Sequence, residues 1–159
     1  MMDLRGYMNC IFCKLINGEI DSAKIWENDD CVAVLDLFPN VKGQALLITK
    51  KHYPSDVFDQ MQYAEYINFL NATRDVIKVL KVGLDVQRVA MVVEGMGVNH
   101  AHIKLYPLHG LTNNFEEMWA SEQVYFEKYE GYISTQLGSK ADIVELKQVA
   151  QRIDEKTKM

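Results

Sequence analysis

The stretch Gly97-Val98-Asn99-His100-Ala101-His102-Ile103-Lys104-Leu105-Tyr106-Pro107 has the alternation of an extended strand. Side chains along a strand point to opposite faces in turn. Asn99, Ala101, Ile103 and Leu105 therefore share one face, and His100, His102 and Lys104 share the other. The first set suits a packed interior. The second lines up two imidazoles and an ammonium, which is unfavourable unless an anion or a metal sits against them. A half-buried sheet with polar residues outward gives the same alternation. The pattern thus predicts a strand over 98–106, ending before Pro107, and leaves its chemistry open.

Working outward, Gly95-Met96-Gly97 reads as a tight turn and Val89 to Val93 as the strand before it. Further upstream, Lys24–Glu27 and Cys31–Leu35 flank Asn28-Asp29-Asp30, a turn sequence, and so form a hairpin. A loop marked by Pro39, Asn40 and Gly43 leads into a strand from Gln44 to Thr49. Between these strands and the histidine strand, residues 60–81 carry Met61, Tyr66, Phe69, Leu70, Thr73, Ile77 and Leu80 at helical spacing. Gly83 fits the C-cap of that helix. Residues 1–9 read as a loose end and 10–17 as a short helix broken by Asn17-Gly18.

After Pro107 a helix near 114–122, a strand over 131–135 and a terminal helix over 140–156 are expected. That last helix turns Ile143, Leu146, Val149, Ala150 and Ile153 inward. Strands, one long helix, two more strands and a helical tail make an α+β chain: a mainly antiparallel five-stranded sheet with the helix on one face. The chain is expected to form a single domain over 1–159, with a core at about 10–107 and a C-terminal extension at about 108–159.

The 159 residues are 48% hydrophobic and 25% charged, ordinary for a globular chain. A net charge of −5 argues against a broad basic face for extended nucleic acid, while leaving room for a small nucleotide in a local pocket. No apolar run is long enough to span a membrane. The first residues lack the apolar block of a signal peptide, so a cytoplasmic location is expected. Three cysteines do not make a disulfide framework.

Two of those cysteines form Cys10-x-x-Cys13. They can be small buried residues, a redox pair or metal ligands. A redox pair belongs after a strand in a βαβ unit, whereas this one opens the chain. Together with His52 and His100 the two thiols form a donor set suited to tetrahedral zinc. A structural zinc is the favoured reading. Cys31 reads as a small core residue and His109 as a surface residue.

Several blocks in order resemble the histidine-triad (HIT) superfamily: Cys10 to Ile20, Ala33-Val34-Leu35-Asp36-Leu37-x-Pro39, Gly43 to Tyr53, and Val98-x-His100-x-His102. The resemblance covers roughly residues 10–107. It implies an α+β sheet, often paired into a homodimer, and hydrolysis or transfer at the α-phosphate of a nucleotide through a nucleotidyl-histidine intermediate. It places the nucleophile at His102, the ribose-binding acid at Asp36, and the lining of the base pocket at Phe12, Leu15, Val34 and Leu37. The zinc ligands it implies are Cys10, Cys13, His52 and His100. Without it, Asp36 reads as a turn-starting acid and the four apolar residues as ordinary core.

A neutral imidazole can attack phosphorus and split one hard step into two. The phosphate oxygens then need cationic or N–H partners, which Lys104 and the amides of Gly95 to Gly97 can provide. Three features depart from the family pattern. Lys104 stands where a third histidine would, and lysine is a mobile point charge rather than a proton shuttle. Met96 replaces a residue able to hydrogen-bond. The tail aromatics Phe115, Trp119, Tyr125, Phe126, Tyr129 and Tyr132 either cover the site or form a second small core.

Overall fold

The computed structural model describes residues 9–118, 128–129, 131 and 140–158. Its elements are α1 (Ile11–Ile16), β1 (Lys24–Glu27), β2 (Cys31–Leu35), β3 (Ala45–Thr49), α2 (Val57–Gln60), α3 (Tyr63–Leu84), β4 (Arg88–Val92), β5 (His102–Leu108) and α4 (Ile143–Thr157). The strands form one sheet in the order β1-β2-β3-β5-β4, and every neighbouring pair is antiparallel. This is the expected α+β architecture. No helix among the described residues is long and apolar enough to cross a membrane.

The β1–β2 hairpin closes as its sequence predicts. The Asn28 side chain accepts from the amides of Asp30 at 3.0 Å and Cys31 at 2.7 Å, a local substitute for backbone bonding that favours a turn. β2 is buried along its whole length because both of its faces are covered. Cys31, Ala33 and Leu35 join Leu47, Ile103, Leu105, Val76, Leu80 and Ile153 in the larger core beneath α3 and α4. Val32 and Val34 face the opposite way, with Ile48, Phe12, Cys10 and Cys13, in a smaller core beneath α1.

The long helix runs past its expected end. Gly83 is not its cap: α3 continues to Leu84 and closes at Asp85, which adopts the left-handed conformation at φ 55°. Gly83 instead lies on the buried face at spacing 69, 72, 73, 76, 80, 83, where α4 crosses closest. A methyl group there would come within 2.6 Å of Ile153 Cγ2 and 2.7 Å of its Cα. The contact is with backbone, so side-chain rotation cannot relieve it. Gly83→Ala should destabilise the protein by roughly 1–3 kcal/mol, the usual range for overpacking, despite alanine's better helix propensity. Thermal denaturation checks this, and an unchanged or raised midpoint would mean that α4 is not seated on α3.

α4 starts at Asp142, whose carboxylate accepts from the amides of Val144 at 2.8 Å and Glu145 at 3.2 Å. It buries Leu146, Ala150 and Ile153 as expected. The expected helix near 114–122 does not form over 114–118, where no apolar face repeats. Residues 119–122, and all of the 131–135 strand except Gly131, lie outside the described residues, as do Trp119, Tyr125, Phe126 and Tyr132.

The histidine strand is also shifted. β5 begins at His102, not Val98, and runs through Pro107 to Leu108. Pro107 is tolerated because pairing with β3 stops at Leu105, so its missing N–H removes no bond from that ladder. Residues 97–100 form a bend. Gly95-Met96-Gly97 is therefore not a tight turn but the start of a loop, with Gly95 at φ +72° against Ser55.

Candidate active site and metal centre

His100 and His102 lie on the α1 side of the sheet, opposite Ala101, Ile103 and Leu105, as the alternation predicts. The Phe12 ring sits edge-on to both imidazoles, with centroids 5.8 Å from His100 and 5.0 Å from His102. Here the shared face divides into two environments.

His100 is fully buried and points at the cysteines. Its Nδ1 lies 3.4 Å from Cys10 Sγ and 3.6 Å from Cys13 Sγ, while His52 Nδ1 lies 3.3 Å from Cys13 Sγ. All four donor atoms fall within 4.8 Å of one another. For zinc with Zn–S of about 2.3 Å and Zn–N of about 2.0 Å, a tetrahedral S···N edge is about 3.5 Å, so the donor set fits such an ion. The second nitrogen of His100, Nε2, donates to the Thr49 carbonyl at 2.7 Å, the outer contact that fixes a ligating imidazole. Burial pushes the Cys13 thiol up to about 11, with Cys10 adding to the effect, and pulls His100 down to about 4. A thiolate in this position needs a cation beside it.

His102 is 4% exposed and hydrogen-bonds through Nδ1 to the His100 carbonyl at 2.6 Å. A carbonyl only accepts, so Nδ1 carries the proton and Nε2 keeps its lone pair. Burial lowers the His102 pKa from its ordinary value, opposed by that backbone bond. The ring is therefore largely neutral at pH 7.

Beside it opens a cavity of about 800 Å³. Phe12, Leu15, Val34, Leu37, Asp36, Gly97, His102 and Lys104 all line it, so most of the residues singled out in the sequence converge here. Gly95 does not line it. Cys10, Cys13, His52 and His100 form a separate four-donor set that could hold a metal ion.

Asp36 is buried, with one carboxylate oxygen accepting from the Phe38 amide at 2.9 Å and the other from Gln44 Nε2 at 2.6 Å. It does start a turn, but it also lines the cavity. Both its donors are neutral, so its charge is held in place without being cancelled. Gln44 is itself fixed by accepting from the Asn40 amide at 2.7 Å. Sequence reading missed this positioning role, although a glutamine opening an apolar strand was the available signal.

Lys104 is not a solvated strand lysine. Its Nζ lies 3.1 Å from Glu94 Oε2, and both side chains are largely shielded. The Tyr129 hydroxyl donates to the other Glu94 oxygen. Burial alone would raise the Glu94 pKa, but Tyr129 and Lys104 outweigh it and hold the carboxyl below its ordinary value. Glu94 was not foreseen. Its signal was an acid ending an apolar strand directly before a glycine.

A model of the HIT domain matches residues 17–111. An HIT-like protein of Methanocaldococcus jannaschii is 39% identical over 102 residues, covering 62% of this chain and 78% of its own. An adenosine 5′-monophosphoramidase of Saccharomyces cerevisiae is 28% identical over 126 residues, 75% of each chain. The structure of a zinc-bound histidine triad family protein from Mycobacterium smegmatis superposes with a TM-score of 0.65 at 17% identity, covering 94% of this chain and 93% of that one. That last likeness concerns the fold alone.

Proposed function

This chain belongs to the HIT domain family, and on that premise we propose that it is a nucleotide hydrolase or nucleotidyl transferase with His102 as nucleophile. The substrate is a nucleoside phosphate or dinucleoside polyphosphate, attacked at its α-phosphate. One observation carries this reading. The Nδ1–H of His102 is bound to the His100 carbonyl at 2.6 Å, in a ring that borders the cavity shared with Asp36. That bond selects the tautomer with a free Nε2 lone pair. The yeast phosphoramidase among the relatives supports the same class of reaction.

In this mechanism the base lies among Phe12, Leu15, Val34 and Leu37, and Asp36 accepts from the ribose hydroxyls. Nε2 attacks phosphorus, forming a P–N bond. The bond to the leaving group breaks, and the leaving atom keeps that electron pair and takes up a proton from solvent, which the acceptor hydroxyl returns in the second step. An acceptor hydroxyl, from water, phosphate or a sugar phosphate, then attacks phosphorus and loses its proton. The P–N electrons return to Nε2. Gly97, which lines the cavity beside His102, is placed to offer its amide to the phosphate oxygens, while Lys104 on the same side is paired with Glu94. Cys10, Cys13, His52 and His100 would hold a zinc ion in a structural role, since four protein ligands would leave no position for substrate.

The test is to mix protein with candidate nucleotides, quench in alkaline denaturant, which preserves a phosphoramidate, and map the product by mass spectrometry. A nucleotidyl adduct on His102 is expected. A folded protein giving neither adduct nor turnover would count against the proposal. The second reading, a nucleotide-binding module without catalysis, draws on the engagement of Lys104 by Glu94. Tight nucleotide binding without product would select it.

A further inference from the structure

The cavity is unusually acidic for a place that receives phosphate. Among its described lining residues, Asp21, Asp36 and Glu94 are acids and Lys104 is the single lysine or arginine. Asp21 is matched outside by Lys147, at 2.6 Å. Asp36 has neutral donors only. Lys104 is already committed to Glu94.

The strand order ranks the groups along the cavity. Val34 and Asp36 belong to β2 and its end, Leu46 to β3 and His102 to β5. Glu94 follows β4, on the far side of β5 from β2. If the nucleoside rests over β2 and phosphorus is met at β5, the departing group extends toward β4, where Glu94 stands.

We propose that Glu94 is a specificity-determining residue whose carboxylate, held by Lys104 and Tyr129, favours substrates with a cationic or neutral leaving group over those with an anionic one. This rests on the nucleotidyl-transfer reading given above. A polyphosphate leaving group would bring several negative charges to a place whose one cation, Lys104, is already cancelled by Glu94. An ammonium in the same place pairs with Glu94. In a partly buried site, one unit charge a few ångströms away shifts affinity by about tenfold or more.

Three adenosine 5′-phosphoramidates isolate the charge, made from 1,3-diaminopropane, propylamine and β-alanine, which leave the tail cationic, neutral and anionic at similar size. Two readouts are needed: kcat/KM with the wild-type chain, and Kd by calorimetry with His102→Asn, which lacks the nucleophile. The cationic compound should exceed the anionic one about tenfold or more in each. Glu94→Gln should bring the ratio below about threefold, while Glu94→Asp, which keeps the charge, should largely preserve it. Turnover with a flat order, or a ratio unmoved by Glu94→Gln, overturns the role of Glu94 and leaves the catalytic reading standing. The expected order in binding without any turnover does the reverse. If none of the three binds, both ideas fall.

Discussion

Cys13→Ser should empty the four-donor site of metal and lower the unfolding free energy by roughly 3–4 kcal/mol. A metal held at about a thousand times its Kd stabilises the folded state by about 4 kcal/mol. Cys13 is a damaging donor to lose because its sulfur lies near both imidazoles, 3.3 Å from His52 and 3.6 Å from His100. Serine matches its volume but does not ionise to a ligand at neutral pH. Cys31→Ser gives the contrast. Cys31 is equally buried, but it belongs to the core under α3 and outside the donor set. Its replacement should cost about 1 kcal/mol and leave the metal in place. Metal analysis of the purified chain should find about one zinc per chain before substitution and almost none in Cys13→Ser. Chelation of the wild type should reproduce the loss of stability. A metal-free wild type, or a Cys13→Ser variant with full metal, would return both cysteines to being small buried residues.

The sheet was legible because its strands obey a period that local sequence carries. Ala101, Ile103 and Leu105 fell on one face and His102 and Lys104 on the other, as strand geometry requires. The errors occurred where distant chain decides a local choice. Gly83 resembles a helix cap by type, but Ile153, seventy residues on, makes it a crossing point. Pro107 resembles a strand stop, yet the end of β3 pairing lets the strand continue. The site divides in the same way. His102, Asp36 and the apolar residues that share their cavity were singled out through their motifs, and the four clustered donors through their chemical type. Gln44 and Glu94 escaped because each acts through a partner, Asp36 in one case and Lys104 in the other, that only folding brings near.

His102→Asn should lower kcat by about 10⁴-fold or more, as loss of a covalent nucleophile does, while nucleotide affinity stays within about threefold of wild type. The choice of asparagine follows from the geometry. Its side-chain amide lies about where Nδ1 does in histidine, so it can still donate to the His100 carbonyl that His102 now bonds at 2.6 Å. What disappears is Nε2. His102→Ala would remove that donor too. The carbonyl belongs to His100, one of the four clustered donors, so a loss of activity in the alanine variant would mix chemistry with disturbance of the donor set. The asparagine variant should retain its metal, its melting temperature within a few degrees and its nucleotide binding. Steady-state kinetics, calorimetry and metal analysis on the same preparation separate these effects. If turnover persists at even a tenth of the wild-type rate, the attacking group lies elsewhere in the cavity. Activity lost together with metal and binding would instead assign His102 to the architecture of the site.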